Sequence, residues 1–539
     1  MNNKNIVWFK NISKSDTNSV GEKAAYLSEL YNQKLPVPNG FVISQKFFNS
    51  IISDYHDIID DLFTKSTDFN NAINASNQIK NIIKKFTFTE ELKTLLLKNY
   101  RELEEAERYK GIPEKTLNLI SPTRDLPFVA VRISTDKAFP SLFKPSLNAY
   151  GIESLMDAIK SVLINVFSPR AILYYNKHNI TLANLNVSII IQKMSSSNKS
   201  GDMFSINPIK NSKDEIYVQS MWGIKNGYLN KPSIFIFNKS TNSLTEEHLY
   251  DQETYITKNA QFGELIAEPV PENMRHAAVL SKAELMALCD IAKKIEQIMN
   301  FPQHIEWTIG RKGVQIVQTQ PITRILNKPL TTKPSTESNV ISQGIPLVAK
   351  SASGRIIQDI QNTDVSDNII LADELNNNML PALIKSGGFV TSTLGLTSNA
   401  AFMCKEFDIP CIVGATNITR AVRDNQKVEF NSDGSITSII EQVAPVENYS
   451  SYSNNPQQQY SESETQSNEL SNTSSVSGGF DELYQHFMRL ERYITELVSH
   501  EAQKRASGEN TTEEDARRAQ KLSELEWQIR ALRKKINED

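Results

Sequence analysis

Residues 391–414 constrain the fold of this chain more than any other segment, because they set a turn, a helix and a strand in close succession. A strand-like run over 387–391 leads to a turn at Gly395. Ser and Thr residues then precede an apolar run over 400–407, which predicts a helix because their oxygens accept its first unpaired N–H groups. A proline ends the helix, and 411–413 predict a buried strand. A helix N-terminus after a strand and a tight turn is suited to holding an anion.

This segment resembles the swivelling phosphohistidine domain of the phosphoenolpyruvate synthase and pyruvate phosphate dikinase family, whose pattern reads T-x-x-G-G-x-T-S/C-H-A-A…G-I-P-x-V-V-G. The chain keeps these positions of it: Thr391, Gly395, Thr397, Ser398, Ala400, Ala401, Ile409, Pro410, Val413 and Gly414. The resemblance implies that the family's phosphate-carrying histidine corresponds to Asn399. An amide nitrogen is not a usable nucleophile because its lone pair is delocalised, whereas imidazole can take up a phosphoryl group. We therefore expect this segment to keep the fold of the family's domain. Asn399 stands at the catalytic position, and we expect no phosphate relay through it.

Further motifs of the same family occur in family order in the N-terminal half. Residues 20–30 and 36–43 resemble V-G-G-K-x-A-x-L-x-E-M and V-P-x-G-F-V-I, which implies that Lys23 contacts nucleotide phosphate. Taken alone, a lysine beside a Gly turn favours a solvated side chain. Residues 126–135 resemble the strand F-A-V-R-S-S-A, which implies that Arg132 binds nucleotide, and a guanidinium suits forked phosphate contacts. The alternative for Arg132 is a surface ion pair.

The N-terminal half departs from the family pattern at three places, and the second of them, the loop, counts against normal phosphoryl transfer. Glu22 replaces the second Gly of the first motif and adds negative charge close to the expected phosphates. The family's mobile, Gly-bearing loop corresponds to residues 135–145, which are bulky and lack glycine, although backbone N–H groups approach phosphates best where glycines leave room. Lys225 and Asn226 replace the Gly and Glu of the family motif S-x-W-G-L-G-E.

Two more strands are expected at the cofactor. Residues 187–194 resemble the family strand V-x-I-Q-x-M that lies over the adenine, which implies cofactor binding by Gln192. Residues 315–323 resemble Q-x-R-P-I-T, and Gln320 takes the place of the phosphate-facing Arg. We expect both glutamines at the bound nucleotide.

The resemblance also implies a magnesium site. Glu306 and Gln318 match the family's D-x-E-W and Q-x-R-P-I-T strands. An acid and an amide on neighbouring strands can share a Mg²⁺ that bridges nucleotide phosphates, because Mg²⁺ takes hard oxygen ligands. His304 replaces the accompanying Asp, and it is either a metal ligand or, as is more common for a lone histidine, a plain polar side chain.

Composition narrows the remaining possibilities. A length of 539 residues predicts three or four domains. A net charge of −4 indicates neither a nucleic-acid nor a membrane-surface partner. Cys289, Cys404 and Cys411 have no pattern and are expected to be free buried thiols in a reducing compartment. The polar N-terminus and the lack of a transmembrane-length apolar run predict a cytoplasmic protein.

The sequence therefore predicts an α/β and α+β multidomain protein. We expect an ATP-grasp-like domain over 1–327, a linker over 328–339, an α/β swivelling domain over 340–442, a disordered linker over 443–478 and a helical coiled-coil segment over 479–539. The second linker is rich in Ser, Asn and Gln and cannot form a core. The last segment has heptad-like apolar spacing, which predicts a coiled-coil hairpin or an oligomerisation module. Its alternative is a solvated helix pair folded back on the protein.

Two classes of function follow from the resemblance. In the first, the chain is a degenerate ATP-binding relative of pyruvate, water dikinase and similar phosphotransferases that lacks the phosphohistidine relay, and it either still turns over ATP or is completed by a separate partner chain. In the second, it is a pseudoenzyme that binds or assembles through its C-terminal helices. The family's C-terminal barrel, which binds pyruvate or phosphoenolpyruvate, has no counterpart in this sequence. A third possibility is direct transfer from ATP to another acceptor. ATP and Mg²⁺ are the expected cofactors.

Overall fold

The computed structural model describes most of the chain up to residue 439. Its described ranges are 5–108, 126–136, 139, 142–225, 232–258, 264–322, 340–360, 363–372, 379–392, 396 and 399–439, with the side chains of 104–108 and 399 left outside. The chain divides into two units, residues 1–444 and 445–539, and every described residue belongs to the first. No helix within the described ranges is both long and apolar enough to cross a membrane. Both predicted linkers and the predicted coiled coil lie outside the described residues.

Two antiparallel sheets and a two-stranded hairpin form the N-terminal half. Their strands are β1 Ile6–Trp8, β2 Gly40–Ile43, β3 Val129–Thr135, β4 Ser146–Ala149, β5 Val187–Lys193, β6 Lys199–Phe204, β7 Glu215–Trp222, β8 Ser233–Asn238, β9 Ser243–His248, β10 Thr254–Lys258, β11 Leu265–Pro269, β12 Gln303–Gly310 and β13 Gly313–Pro321. The first sheet has the order β1-β2-β5-β3-β4, the second has the order β13-β12-β6-β7-β8-β9, and β10 pairs with β11. The central strands β3 and β5 are rich in Val and Ile and largely buried, which suits β-branched side chains.

Helices cover these sheets. They are α1 Thr17–Val20, α2 Glu22–Asn32, α3 Gln45–Ile52, α4 His56–Lys65, α5 Phe69–Lys85, α6 Glu90–Arg108, α7 Gly151–Val166, α8 Pro169–Lys177, α9 Glu272–Arg275 and α10 Lys282–Met299. Apolar residues such as Ile79, Ile82, Ile83 and Phe86 recur at helical spacing, which predicts that residues 50–110 are mostly helical, and the described part of this range is mostly helical. Helices α3 to α7 pack into the core of the first sheet. Helices α2 and α10 pack on the second sheet. Helix α10 begins at a capping box in which Ser281 and Glu284 satisfy each other's backbone N–H groups.

A mixed eight-stranded sheet follows. Its strands are β14 Val340–Gln343, β15 Ile345–Val348, β16 Ala352–Ile357, β17 Ile369–Leu371, β18 Gly388–Val390, β19 Cys411–Val413, β20 Lys427–Phe430 and β21 Ser435–Ser438, and its helices are α11 Leu380–Lys385, α12 Asn399–Phe407 and α13 Ile418–Ala421. The order is β14-β21-β20-β16-β17-β18-β19-β15, with parallel pairing from β16 to β19. The two edge strands, β14 and β15, are consecutive in sequence and joined by Gly344 alone.

These elements confirm the mixed α/β, multidomain architecture predicted from the sequence. The helix predicted over 400–407 is α12, one residue longer at its start, and the buried strand predicted over 411–413 is β19. All three cysteines are free and buried, as predicted.

Candidate functional site

The turn before helix α2 brings Lys23 close to Arg132. Gly21 has a φ of +80°, and a Cβ at this position would overlap the Ser134 side chain and the backbone beside it. This close approach lets the N–H of Ala24 donate a hydrogen bond of 3.0 Å to Ser134 Oγ. The start of α2 is thereby held against strand β3, on which Arg132 lies two residues before Ser134.

Lys23 and Arg132 form a pair of cations in the interior of this site. Burial lowers the pKa of Lys23 to about 8, with Glu306 acting against the shift and Arg132 adding to it. Burial also lowers the pKa of Arg132, again with Glu306 opposing. The Arg132 guanidinium donates a hydrogen bond to the carbonyl of Val317 on strand β13. Arg132 is therefore partly buried between two sheets and not a partner in a surface ion pair.

Glu306 lies in the middle of a row of polar side chains that crosses three strands. In the register of the second sheet it faces Gln318 on strand β13 and Asp202 on strand β6. Side chains directly opposite each other in an antiparallel pair are close neighbours. The acid and amide predicted to share a metal are thus adjacent, and Asp202 adds a second carboxylate that the sequence motifs had not indicated.

Lys225 bridges these two carboxylates. Its Nζ lies 2.7 Å from Asp202 Oδ1 and 3.3 Å from Glu306 Oε1. Burial acts to raise the pKa of Asp202, but Lys225 and His304 together hold it well below its ordinary value. The pKa of Glu306 is also lowered, because Lys225 and Arg132 outweigh the effects of burial and of Asp202. Both acids are therefore carboxylates at neutral pH.

His304 connects this pair to Gln320. Its Nε2 lies 2.8 Å from Asp202 Oδ1, and the Gln320 amide lies 2.9 Å from its Nδ1. An amide N–H that donates to Nδ1 leaves the proton on Nε2, which then donates to the Asp202 carboxylate. The imidazole also stacks on Phe204, with ring centroids 4.7 Å apart. Both ring nitrogens of His304 are engaged, which favours the plain polar interpretation over the metal-ligand one.

One pocket joins the polar network to an apolar wall. Arg132, Gln192, Lys225 and Glu306 line it, and its apolar side is formed by Ala130, Leu147, Met194 and Ile224. Gln192 is buried and donates a hydrogen bond of 3.2 Å to the carbonyl of Pro38. Lys23, Gln318 and Gln320 do not line the pocket itself. An apolar slot that ends in charged groups has the general form of a site for a flat, anionic ligand.

Glu22 and Asp136 place negative charge beside the Lys23 turn. Burial, followed by the charge of Asp136, raises the pKa of Glu22 above its ordinary value. Its buried Oε2 has no hydrogen-bond partner among the described residues. The charge that the sequence predicted close to bound phosphates is present, and it disfavours a highly charged polyphosphate there.

The described residues do not fit a magnesium ion between the two carboxylates. Within the part of the chain that the structure describes, no group of three or more His, Cys, Asp or Glu side chains is arranged for a metal. The oxygens of Asp202 and Glu306 are suitable ligands, but the Lys225 ammonium lies between them. The Glu306 carboxylate, which was predicted to bind magnesium together with Gln318, thus forms an ion pair with Lys225.

Helix α12 docks on helix α8 through a buried ion pair. Arg170 Nε lies 2.7 Å from Glu406 Oε2, and both side chains are buried. Lys177 donates a hydrogen bond to the carbonyl of Phe407. Burial raises the pKa of Glu406 to about 7, against the opposing effect of Arg170. Asn399 is the first residue of α12, as the motif predicted, and its side chain lies outside the described residues.

Aromatic side chains anchor the segment that corresponds to the family's mobile loop. Phe139 is buried, and its ring lies 6.0 Å from Tyr174 and 5.7 Å from Tyr175 of helix α8. Phe143 packs edge-on against Phe139 at 5.8 Å. Phe139, Leu142 and Phe143 of this segment therefore contribute to the core.

The sequence motifs indicated most of this site but missed two of its members. Residues 201–208 resemble the family motif G-x-x-F-S/T-x-x-P, but Asp202 occupies a position that this motif leaves unspecified, so no spacing rule pointed to it. Lys225 was recognised only as a departure from a glycine. Residues 168–174 resemble the family motif S-x-R-A-x-x-Y, which contains Arg170, but its partner Glu406 is 236 positions away.

Two family models match the chain. Residues 17–339 match the one described as pyruvate phosphate dikinase, AMP/ATP-binding domain. Residues 365–433 match the one described as PEP-utilising enzyme, mobile domain. Together they define a protein with a nucleotide-binding type of domain followed by a phosphoenolpyruvate-utilising type of domain. The chain belongs to the phosphoenolpyruvate synthase and pyruvate phosphate dikinase family.

Curated relatives carry the same family name. The chain is 25% identical over 456 residues to a probable phosphoenolpyruvate synthase of Methanothermobacter thermautotrophicus, which covers 81% of this chain and 64% of the relative. It is 28% identical over 410 residues to one of Methanocaldococcus jannaschii, covering 73% and 33%. The phosphoenolpyruvate synthase of Pyrococcus furiosus is 25% identical over 468 residues, covering 78% and 57%. The chain thus spans less than two thirds of each relative.

Among solved structures, a D-alanine–D-alanine ligase from Helicobacter pylori aligns over 41% of this chain and 54% of its own, at 14% identity and a TM-score of 0.18. This overlap is too small to indicate a shared overall fold.

Proposed function

We propose that the chain binds an adenine nucleotide in the pocket between the two N-terminal sheets and does not pass its phosphate through residue 399. The observation that carries the proposal is that one pocket brings Arg132 and Gln192 together with an apolar wall, in a domain whose family is described as AMP/ATP-binding. The base would lie along the apolar wall, and the phosphates would face the cations.

Arg132 would contact the phosphates from the wall of the pocket. Lys23 does not line the pocket but lies close to Arg132, and it would add its positive charge from there. Both cations are partly buried, so water screens their charge less than it would at the surface. Hydrogen bonds from a cation to phosphate are among the stronger polar contacts in proteins. Glu22 and Asp136 act in the opposite direction, and we expect ADP or AMP to compete well with ATP.

Calorimetry with ATP, ADP and AMP tests nucleotide binding. We expect the unaltered chain to bind, and Lys23→Met or Arg132→Met to weaken binding roughly tenfold or more, since a charge-assisted hydrogen bond contributes about 1.5–3 kcal/mol. Lys80→Met and Arg101→Met remove exposed cations from helices α5 and α6 and serve as matched controls. If millimolar nucleotide gives neither a heat of binding nor a shift in the melting temperature, the proposal is wrong.

Labelled ATP tests the lost relay. Asn399 can donate a hydrogen bond to a phosphate at a helix N-terminus but cannot take up a phosphoryl group. After incubation with ATP labelled in its β and γ phosphates, we expect no acid-labile label on the unaltered chain. Because the loop over 135–145 and Gln320 also depart from the family, we expect little label on Asn399→His. Acid-labile label that maps to 391–414 of the unaltered chain would contradict this part of the proposal.

A further inference from the structure

We propose that Lys225 is a built-in cation that replaces the divalent metal of this site, so that the site excludes metal and binds nucleotide without it. The part that concerns nucleotide rests on the function proposed above. The observation is a lysine ammonium within 2.7 Å of Asp202 and 3.3 Å of Glu306, at the place where the sequence predicted a metal on Glu306.

The backbone before Lys225 is fixed. Gly223 has a φ of +76°, and a Cβ at this position would overlap the carbonyl of Ile256. The Gly223 carbonyl accepts hydrogen bonds of 2.9 Å from Ser197 and 2.8 Å from Ser200. The chain therefore leaves strand β7 in a defined direction, and Lys225 is placed to reach back across strands β6 and β12.

Charge balance explains why a metal is excluded. A divalent ion between Asp202 and Glu306 would have to displace the Lys225 ammonium, because the two cations repel each other at this distance. The displaced ammonium belongs to a side chain that is only 20% exposed, and it would lose both of its carboxylate partners. Breaking a buried ion pair in this way is strongly unfavourable. Without Lys225, however, two adjacent carboxylates would repel each other and attract a metal.

A lysine and a magnesium ion act differently on a nucleotide. Mg²⁺ carries two charges and holds phosphate oxygens in a near-octahedral arrangement, whereas the ammonium is a single charge with three donors on a flexible stem. Lys225 can therefore attract a phosphate group without fixing two phosphates relative to each other. Such a site holds a nucleotide but gives little help to phosphoryl transfer, which agrees with the asparagine at position 399.

Manganese binding, measured by the electron paramagnetic resonance signal of free Mn²⁺ without nucleotide, tests the exclusion directly. We expect no Mn²⁺ site at Asp202 and Glu306 in the unaltered chain and a gain in affinity of roughly tenfold or more in Lys225→Met. Adding Glu306→Gln to that variant should remove the gain. Lys199→Met is the matched control, since it also strips a lysine from a carboxylate, Glu284 at 2.8 Å, but should create no manganese site.

Nucleotide affinity with EDTA and with Mg²⁺ is the second measurement. We expect equal affinity for the unaltered chain in both conditions, and for Lys225→Met a loss of roughly tenfold in EDTA that Mg²⁺ restores. If the unaltered chain binds no nucleotide in either condition, the proposed function fails, and the manganese measurement still decides the role of Lys225.

Two outcomes would overturn the inference. One is a manganese site in the unaltered chain that Glu306→Gln removes. The other is a manganese site in Lys225→Arg, which keeps the positive charge, as strong as the one in Lys225→Met. Lys225→Arg also covers the case in which Lys225→Met fails to fold, because it should fold and remain free of manganese.

Discussion

At the scale of single residues, motifs identify side chains whose role depends on local geometry. Lys23 and Arg132 were predicted from two separate motifs, and the structure brings both close to Glu306. Asp202 and Lys225 could not be assigned from the sequence because their contacts cross strands. The charge of a lysine is visible in a sequence, but the carboxylate that it reaches is not.

Lys23 gives a prediction on pH. Its pKa of about 8 means that the ammonium is partly lost above that pH, while a bound phosphate favours the charged form. Binding must then take up a proton, and we expect nucleotide affinity to fall as pH rises through 8. Calorimetry above pH 8 in buffers of different ionisation enthalpy would measure the proton uptake. Lys23→Arg, charged throughout, should show none, and the same uptake in that variant would assign the proton to another group.

At the scale of elements, helix α12 shows what sequence can and cannot predict. Its start and end could be predicted from residues with a capping preference and from a proline, because these signals lie within a few positions of the helix ends. Its packing against helix α8 depends on Arg170 and Glu406, two residues distant in sequence and close only in the folded chain. No periodicity or spacing contains that information.

Glu406 should make stability depend on pH. Burial raises its pKa from 4.5 to about 7. Below pH 4.5 the carboxyl is neutral in both the folded and the unfolded chain, and its contribution to the free energy of unfolding is fully present. This contribution is lost as pH rises from 4.5 through 7, because the unfolded chain then releases the proton more readily than the folded one. The size of the effect is about 1.4 kcal/mol per unit of pKa shift. We expect the free energy of unfolding of Glu406→Gln, relative to the unaltered chain, to rise over this pH range. Chemical denaturation measures it, with Glu429→Gln on an exposed position as the control. Parallel pH profiles for Glu406→Gln and the unaltered chain would contradict the assignment.

At the scale of the whole molecule, composition and motif order predicted the mixed α/β, multidomain architecture and the family. The resemblance covers the part of the chain matched over 17–339 and 365–433. What the chain assembles with cannot be derived from those matches, because no motif of the family includes the heptad-like segment over 479–539. Its partner choice depends on apolar stripes and charges that many coiled coils share.

We propose that residues 479–539 mediate self-association. Two heptad-like stripes left without a partner would expose a large apolar surface. Size-exclusion chromatography with light scattering should show an oligomer for the full chain and a monomer after deletion of 479–539. A full-length monomer at micromolar concentration would reject this proposal and leave the folded-back helix pair as the alternative.

The eight-stranded sheet has a consequence for how the chain can be cut. Both of its edges, β14 and β15, come from one stretch of nine residues, 340–348. Both strands are short, and β15 contains Pro346, features that discourage pairing with a foreign strand. A proteolytic cut after this stretch, followed by loss of the N-terminal fragment, would uncover β19 and β21 together. Fragments that begin before Val340 should keep a protective edge strand on both sides of the sheet. Fragments that begin after Val348 should expose unpaired backbone groups on both sides and should aggregate more readily.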